Sequence, residues 1–309
     1  MVKRTRSEAG SSGVGPLSGK VGYSFVAPAL ALILVFFLLP VAGAVLLSFT
    51  DFDIYALGDI GRLRWVGLAN YRQLLHDPRF WLALGNTAFF ALVGGPLSVA
   101  VSLAAALLVN QHHVPFRGFW RSALFLPVVT TLVAVAMVWR YLYHPRYGIF
   151  NFVLAHFGID PIDWLGDPDW AMPAIIVMAV WKNFGFNMII FIAGLQSIPQ
   201  RLYEAATLDG AGPWQQFRFI SVPMLAPTFV FVGAMTMIGY LQLFAEPYVM
   251  TQGGPADRTL SIALLMYQEG FRWWNLGYSA AIAFALFAII LAGTALPLWL
   301  RGRERSRVS

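Results

Sequence analysis

Long uncharged, apolar runs alternate with short polar stretches along most of this chain. Residues 21–50, 80–116, 122–139, 219–245 and 273–300 contain no Asp, Glu, Lys or Arg, and 170–200 forms a sixth run interrupted only by Lys182. Because about 20 apolar residues in helical form cross about 30 Å of hydrocarbon, each run is read as a membrane span. The pattern predicts six transmembrane helices at about 21–49, 85–110, 121–143, 170–196, 220–246 and 277–300, an all-α polytopic membrane fold. The third run is the shortest, which puts Arg140 at the interface with its guanidinium reaching out to water.

Composition agrees with a membrane chain. Hydrophobic residues make up 58% of 309 and charged residues 12%, with a mean hydropathy of +0.65, values that argue against a soluble domain. Cysteine is absent, so a disulfide framework, a zinc–thiolate cluster and a thiol nucleophile are all excluded. Residues 1–20 read as a basic, disordered tail; the apolar stretch that follows is too long for a signal-peptide core. Residues 301–309 form a second basic tail.

Loop charges predict orientation. With both termini inside, twelve cations face the cytoplasm (Lys3, Arg4, Arg6, Lys20, Arg117, Arg121, Arg201, Arg218, Arg301, Arg303, Arg305 and Arg307) against eight outside. The net charge of +6 is spread over these loops rather than gathered in a basic domain, which argues against nucleic acid as a partner. The chain has no G-x-x-x-x-G-K-[ST] phosphate-binding loop, no H-E-x-x-H and no G-x-S-x-G. It is read as non-enzymatic, with no metal site and no cofactor of its own. The adjacent His112-His113 pair is read as solvated surface.

Between the fourth and fifth runs lies the polar stretch 199–219. Pro199 suits the first turn of a helix, Gln200 to Leu208 are good helix formers, and Gly210 fits the left-handed residue that closes one. Pro213 then opens a second short helix through Phe217. The predicted unit is helix, glycine elbow, helix. Ala205 and Ala206 leave a shallow face, and Glu204 offers a carboxylate to a partner's cation.

Glu204-Ala205-Ala206, Gly210 four residues on, then Ile220 and Pro223 reproduce the spacing of the EAA loop of binding-protein-dependent ABC importers, which this chain resembles. Three further segments resemble the carbohydrate-uptake branch, the relatives of maltose and glycerol-3-phosphate permeases. They are Trp65-Val66-Gly67-Leu68-Ala69-Asn70-Tyr71, the stretch from Arg121 to Asn151 with its His144-Pro145-Arg146-Tyr147-Gly148 turn, and Thr251-Gln252-Gly253-Gly254-Pro255. The resemblance covers about residues 20–300. It implies a permease subunit in a bacterial or archaeal cell membrane, paired with a second homologous permease. Two copies of an ATPase, carrying ATP and Mg, would dock on the loops through Glu204, Ala205, Ala206, Asp209, Gly210 and Pro213, and an extracytoplasmic binding protein would deliver a sugar. Some relatives carry two additional N-terminal helices and a large outer domain that this chain lacks.

Aligned on Trp181 and the loop, the family's sugar-facing positions fall on Lys182, Asn183 and Phe186, with Asn187 one turn beyond Asn183. Counting back from Gly253-Gly254-Pro255 places Thr236, Tyr240 and Leu243 on the fifth helix, with Gln242 beside the last. Relatives carry Asn where Tyr240 and Leu243 stand. Thr130, Thr131 and Glu246 are further candidates, since polar groups inside a membrane line a cavity or bond to a neighbouring helix. Lys182 keeps a phosphorylated substrate such as glycerol 3-phosphate as the alternative to a neutral di- or oligosaccharide. A non-transporting assembly or sensor subunit is the alternative of a different class.

Overall fold

The computed structural model describes residues 19–58, 63–111 and 114–305. The expectations for residues 1–18, for His112-His113 and for residues 306–309 lie outside these. The chain divides into two units, Met1–Leu47 and Ser48–Ser309. The first contributes α1 (Phe25–Leu47), a continuous apolar helix with a π turn at Leu34–Leu38. Its residues from Phe25 to Ala42 are all exposed.

The second unit holds α2 (Pro78–Asn110), α3 (Arg117–Val129), α4 (Leu132–Leu142), α5 (Ala171–Gln196), α6 (Gln200–Leu208), α7 (Pro213–Gln216), α8 (Ala226–Leu241), α9 (Ala245–Met250) and α10 (Leu276–Arg305). Among the described residues five helices are long and apolar enough to cross a membrane, and a sixth span exists if the bent pair α3–α4 counts as one.

Three boundaries correct the expectation. In place of the one helix expected at 121–143 stand two, α3 and α4, meeting at 96°. Thr130 and Thr131 are extended at the break, and the Thr130 hydroxyl donates to the Pro127 carbonyl at 2.6 Å, offering that carbonyl an alternative to helix. The second span begins at Pro78 rather than 85. Asp77 caps it by accepting from the Arg79 amide at 2.9 Å, and the Arg79 guanidinium is held by Asp257 at 3.1 Å and Gln268 at 3.0 Å. A paired charge in the first turn does not end a helix. The fifth span is interrupted at residues 242–244, where Phe244 leaves helical geometry, and resumes as α9.

Helix α5 is the axis of the second unit. It is apolar all round and buried on most of its surface, as expected for an internal helix. Two of its glycines set close approaches. A Cβ on Gly185 would lie 2.5 Å from the Leu124 carbonyl oxygen of α3, and one on Gly194 would lie 2.7 Å from Thr228 Oγ1 and 2.8 Å from Leu225 Cδ2 at the start of α8. Apolar packing occurs at two levels along this axis. Met172, Ile175, Met178 and Ala179 join Phe90, Val135, Trp139 and Leu243 at one level, while Met188, Phe191, Ile192 and Leu195 join Ala106, Leu225 and Val232 at the other. Between the two lie residues 182–187.

The connections at the α4 end are held by asparagines. The Asn151 amide donates to the Pro145 and Ile162 carbonyls, and its oxygen accepts from the Ile162 amide and the Trp164 indole at 2.9 Å. Asn70 ties the Ser48 and Thr50 carbonyls in the same way.

Candidate functional site

A cavity of about 320 Å³ opens where α5 turns polar. Its wall is Asn183, Phe186 and Asn187 of α5, Met235, Thr236, Gly239 and Tyr240 of α8, Phe90 of α2, Val128 of α3 and Glu246 of α9. The intervals of three and four residues on α5 and α8 place these side chains on one face of each helix. Asn187 donates to Thr236 Oγ1 at 2.9 Å, a bond that also joins the two helices. The Tyr240 ring stacks on Phe90 with centroids 4.8 Å apart. It does so over Gly94, where a Cβ would lie 2.8 Å from Tyr240 Cε1.

Several polar groups here are left over. The Tyr240 hydroxyl and Ser98 Oγ are buried, and neither meets a partner in good hydrogen-bond geometry, although Ser98 and Asn183 both stand beside the tyrosine hydroxyl. Since an unpaired buried hydroxyl costs roughly 1–3 kcal/mol, such groups mark places completed by water or a ligand. Asn183 and Glu246 border the same space, and Glu246 is the one charged side chain on the wall.

Lys182, buried to 7% exposure, is not among the residues that line this cavity. Its ammonium donates to the Val128 carbonyl at 3.0 Å. That carbonyl belongs to the last turn of α3, whose final carbonyls have no helical partner, so the cation caps a negative helix end. Among the described residues no ion pair joins Glu246 to Lys182.

The structure thus brings Asn183, Phe186, Asn187, Thr236, Tyr240 and Glu246 onto one cavity, and places five other candidates off it. Thr130 and Thr131 are exposed at the α3–α4 break. Lys182 is engaged with backbone, Leu243 is 2% exposed in the apolar core, and Gln242 faces a separate apolar pocket with Phe244, Met266 and Phe287. Phe90, Val128, Met235 and Gly239 were missed. A signal for the first existed in Gly94-Gly95-Pro96, a break motif inside an apolar run. It coincides with a π turn at Phe90–Gly94, a geometry common at functional sites.

The second polar feature is the elbow. Gly210 is left-handed at φ +81°, as expected, while Pro199 precedes α6 as its N-cap instead of occupying its first turn. The Ala211 amide donates to the Ala206 carbonyl at 2.8 Å and the Gly210 amide to Thr207 at 3.0 Å, the paired bonds of a Schellman turn. Gln216 then clamps the two helices by donating to Thr207 Oγ1 at 2.9 Å and to the Ala211 carbonyl at 3.2 Å, and Tyr203 bonds to Ser221 at 2.9 Å. Glu204, Ala205 and Asp209 are exposed on this folded unit, as are Leu208 at 89% and Trp214 at 69%; Ala206 is half-buried and Pro213 begins α7. A rigid, partly apolar surface of this kind suits a protein partner.

The profile of the family described as binding-protein-dependent transport system inner membrane component matches residues 98–306. This chain belongs to that family. The permease is 37% identical to the lactose transport system permease protein LacF of Rhizobium radiobacter, over 92% of this chain and 94% of the relative. It is 35% identical to the trehalose/maltose transport system permease protein MalF of Thermococcus litoralis, over 89% and 91%. In fold it is similar to a chain of a bacterial ABC transporter involved in the import of the acidic polysaccharide alginate, with a TM-score of 0.77, 23% identity and coverage of 92% and 96%. The permease is therefore a multi-pass integral membrane transport subunit.

The Gly94–Tyr240 contact yields a matched pair of variants. Gly94→Ala should displace the tyrosine ring and lower transport by about tenfold at equal membrane level, the equivalent of about 1.4 kcal/mol of overpacking. Gly95→Ala, whose Cβ would meet Thr236 Cγ2 only at 3.9 Å, should transport near the wild-type rate. Equal uptake by both variants would show that the position of Tyr240 does not matter.

Proposed function

We propose that the permease forms half of the pathway of an ATP-driven importer and that its cavity passes a neutral saccharide. The observation that carries this is the chemistry of the wall. Amides, a hydroxyl without a partner and a carboxylate can each exchange hydrogen bonds with sugar hydroxyls, while Phe90 and Phe186 offer apolar surface to the faces of sugar rings. Glu246 is the one acidic side chain among the lining residues, and the Lys182 ammonium is engaged with a helix end. A phosphorylated polyol would meet Glu246, with Lys182 engaged by the Val128 carbonyl. The lactose and trehalose/maltose relatives support the same substrate class.

The elbow is the attachment for a separate ATPase, which carries ATP and Mg. Glu204, Ala205, Ala206, Asp209, Gly210 and Pro213 form its surface, two ATPase copies serve this permease and a second homologous one, and both termini and the elbow face the cytoplasm. On the other side a binding protein delivers substrate; the alginate transporter of similar fold was crystallised with an alginate pentasaccharide-bound periplasmic protein. ATP does work through such a surface only if the ATPase binds it differently in two states of the permease.

Two tests follow. Lys182→Gln should keep most saccharide uptake, while Asn183→Ala should lower it by about tenfold, roughly the worth of one or two hydrogen bonds. Abolition of transport by Lys182→Gln, with competition by glycerol 3-phosphate and not by any saccharide, would replace the neutral reading with the anionic one. For coupling, no atom of the described residues other than Gly210 and its chain neighbours lies within 4 Å of a Cβ on Gly210, so Gly210→Val acts through its left-handed φ. That variant should reach the membrane and leave ATP hydrolysis no longer tied to uptake, and Glu204→Lys should weaken ATPase copurification. Normal copurification and wild-type uptake in both would remove the elbow from the coupling path.

A further inference from the structure

A second polar cleft, of about 400 Å³, lies at the end of α4 and is lined by Met137, Arg140, Tyr141, His144 and Tyr147. Its polar groups offer donors. The Arg140 guanidinium makes one hydrogen bond, to the Val249 carbonyl at 3.3 Å, and has no carboxylate partner among the described residues. His144 Nδ1 accepts from the Arg146 amide at 3.2 Å, so a neutral ring carries its proton on Nε2, and a charged one donates there as well. The imidazole lies face to face with the Tyr147 ring. Tyr141 and Tyr147 are 69% and 68% exposed, and no Asp or Glu lines the cleft. A guanidinium, an imidazole N–H and two phenols converging without an acid form a receptor for an anion.

What adjoins the cleft selects the kind of anion. Val133, Met137 and Tyr141 follow one another at intervals of four along α4, and all three are exposed. The stripe is apolar at Val133 and Met137 and runs into the donors at Arg140 and His144, where α4 ends at Leu142. Tyrosine and arginine at the end of a span occupy the headgroup level of a bilayer. An apolar track leading to a phosphate-sized set of donors at that depth fits an amphiphile. We infer that this cleft binds a membrane glycerophospholipid, its phosphodiester on Arg140 and His144 and an acyl chain along Met137 and Val133. The site is separate from the saccharide cavity, whose wall shares none of these residues.

The test uses the importer assembled with all its subunits and exposed to phosphatidylglycerol. Native mass spectrometry should show retained phosphatidylglycerol, and Arg140→Gln combined with His144→Gln should reduce its retention by about tenfold or more, the loss of charge-assisted bonds to phosphate. Arg140→Lys, which keeps the charge, should retain an intermediate amount. A benzophenone amino acid in place of Tyr141 should yield lipid adducts on illumination. Unchanged retention in the double variant would overturn the inference, as would adducts to another subunit or to saccharide in place of lipid. Displacement of the lipid by an equal concentration of inorganic phosphate would reassign the cleft to free anions and also overturn it.

Discussion

Helices in a bilayer gain nothing from hiding apolar side chains from water, so a membrane bundle must be drawn together by close contact and by internal polar bonds. In this permease that contact is made at glycines. Gly185 lets α3 lie directly on α5, and Gly194 does the same for the start of α8. A side chain at either position would meet backbone or a packed side chain and force the axis of the unit apart. The cavity depends on this arrangement. It is the interval between two apolar levels of α5, kept open because Asn183, Phe186 and Asn187 stand where the packing residues above and below would otherwise meet.

The same constraint explains Lys182. A cation buried in a bundle must find an acceptor, and the break of α3 supplies carbonyls that α3 itself cannot satisfy. The lysine and the broken helix therefore solve each other's problem. One consequence is chemical: the cation is engaged with backbone, and Glu246 is the one acidic side chain among the residues that line the cavity. Another is mechanical, since the Lys182 bond fixes the end of α3 to the helix that carries the asparagines. From Lys182, helix α5 runs on to Gln196, about 21 Å at 1.5 Å per residue, and ends three residues before α6 of the elbow.

How much of this was readable without coordinates depended on whether the signal was local. The apolar runs gave the spans because hydrocarbon thickness sets their length, and the left-handed Gly210 was legible because a helix closing at glycine is a matter of a few neighbouring residues. Asn183 and Asn187 were legible through their spacing. The 96° bend was not, because it arises from a hydroxyl at Thr130 competing for a carbonyl, and an apolar run with two threonines reads equally well as one helix. Counting charges misplaced the start of α2, since it cannot tell a solvated arginine from Arg79, which is paired with residues about 180 positions away. Phe90 and Val128 reach the cavity from other helices by tertiary packing alone. The elbow's clamp by Gln216 was likewise invisible to propensity.

The central claim is that saccharide occupies the space between α5 and α8. Cysteine is absent from the chain, so single thiols can be placed at will. The most direct measurement is the rate at which a small thiol reagent modifies Asn183→Cys in the assembled importer, with and without saccharide supplied by the binding protein, beside Gln242→Cys in its separate pocket. Saccharide should slow modification at position 183 by about tenfold, as expected when occupancy near 90% removes the free site, and leave position 242 unchanged. Equal rates at 183 with and without saccharide, or protection at 242 alone, would contradict the account.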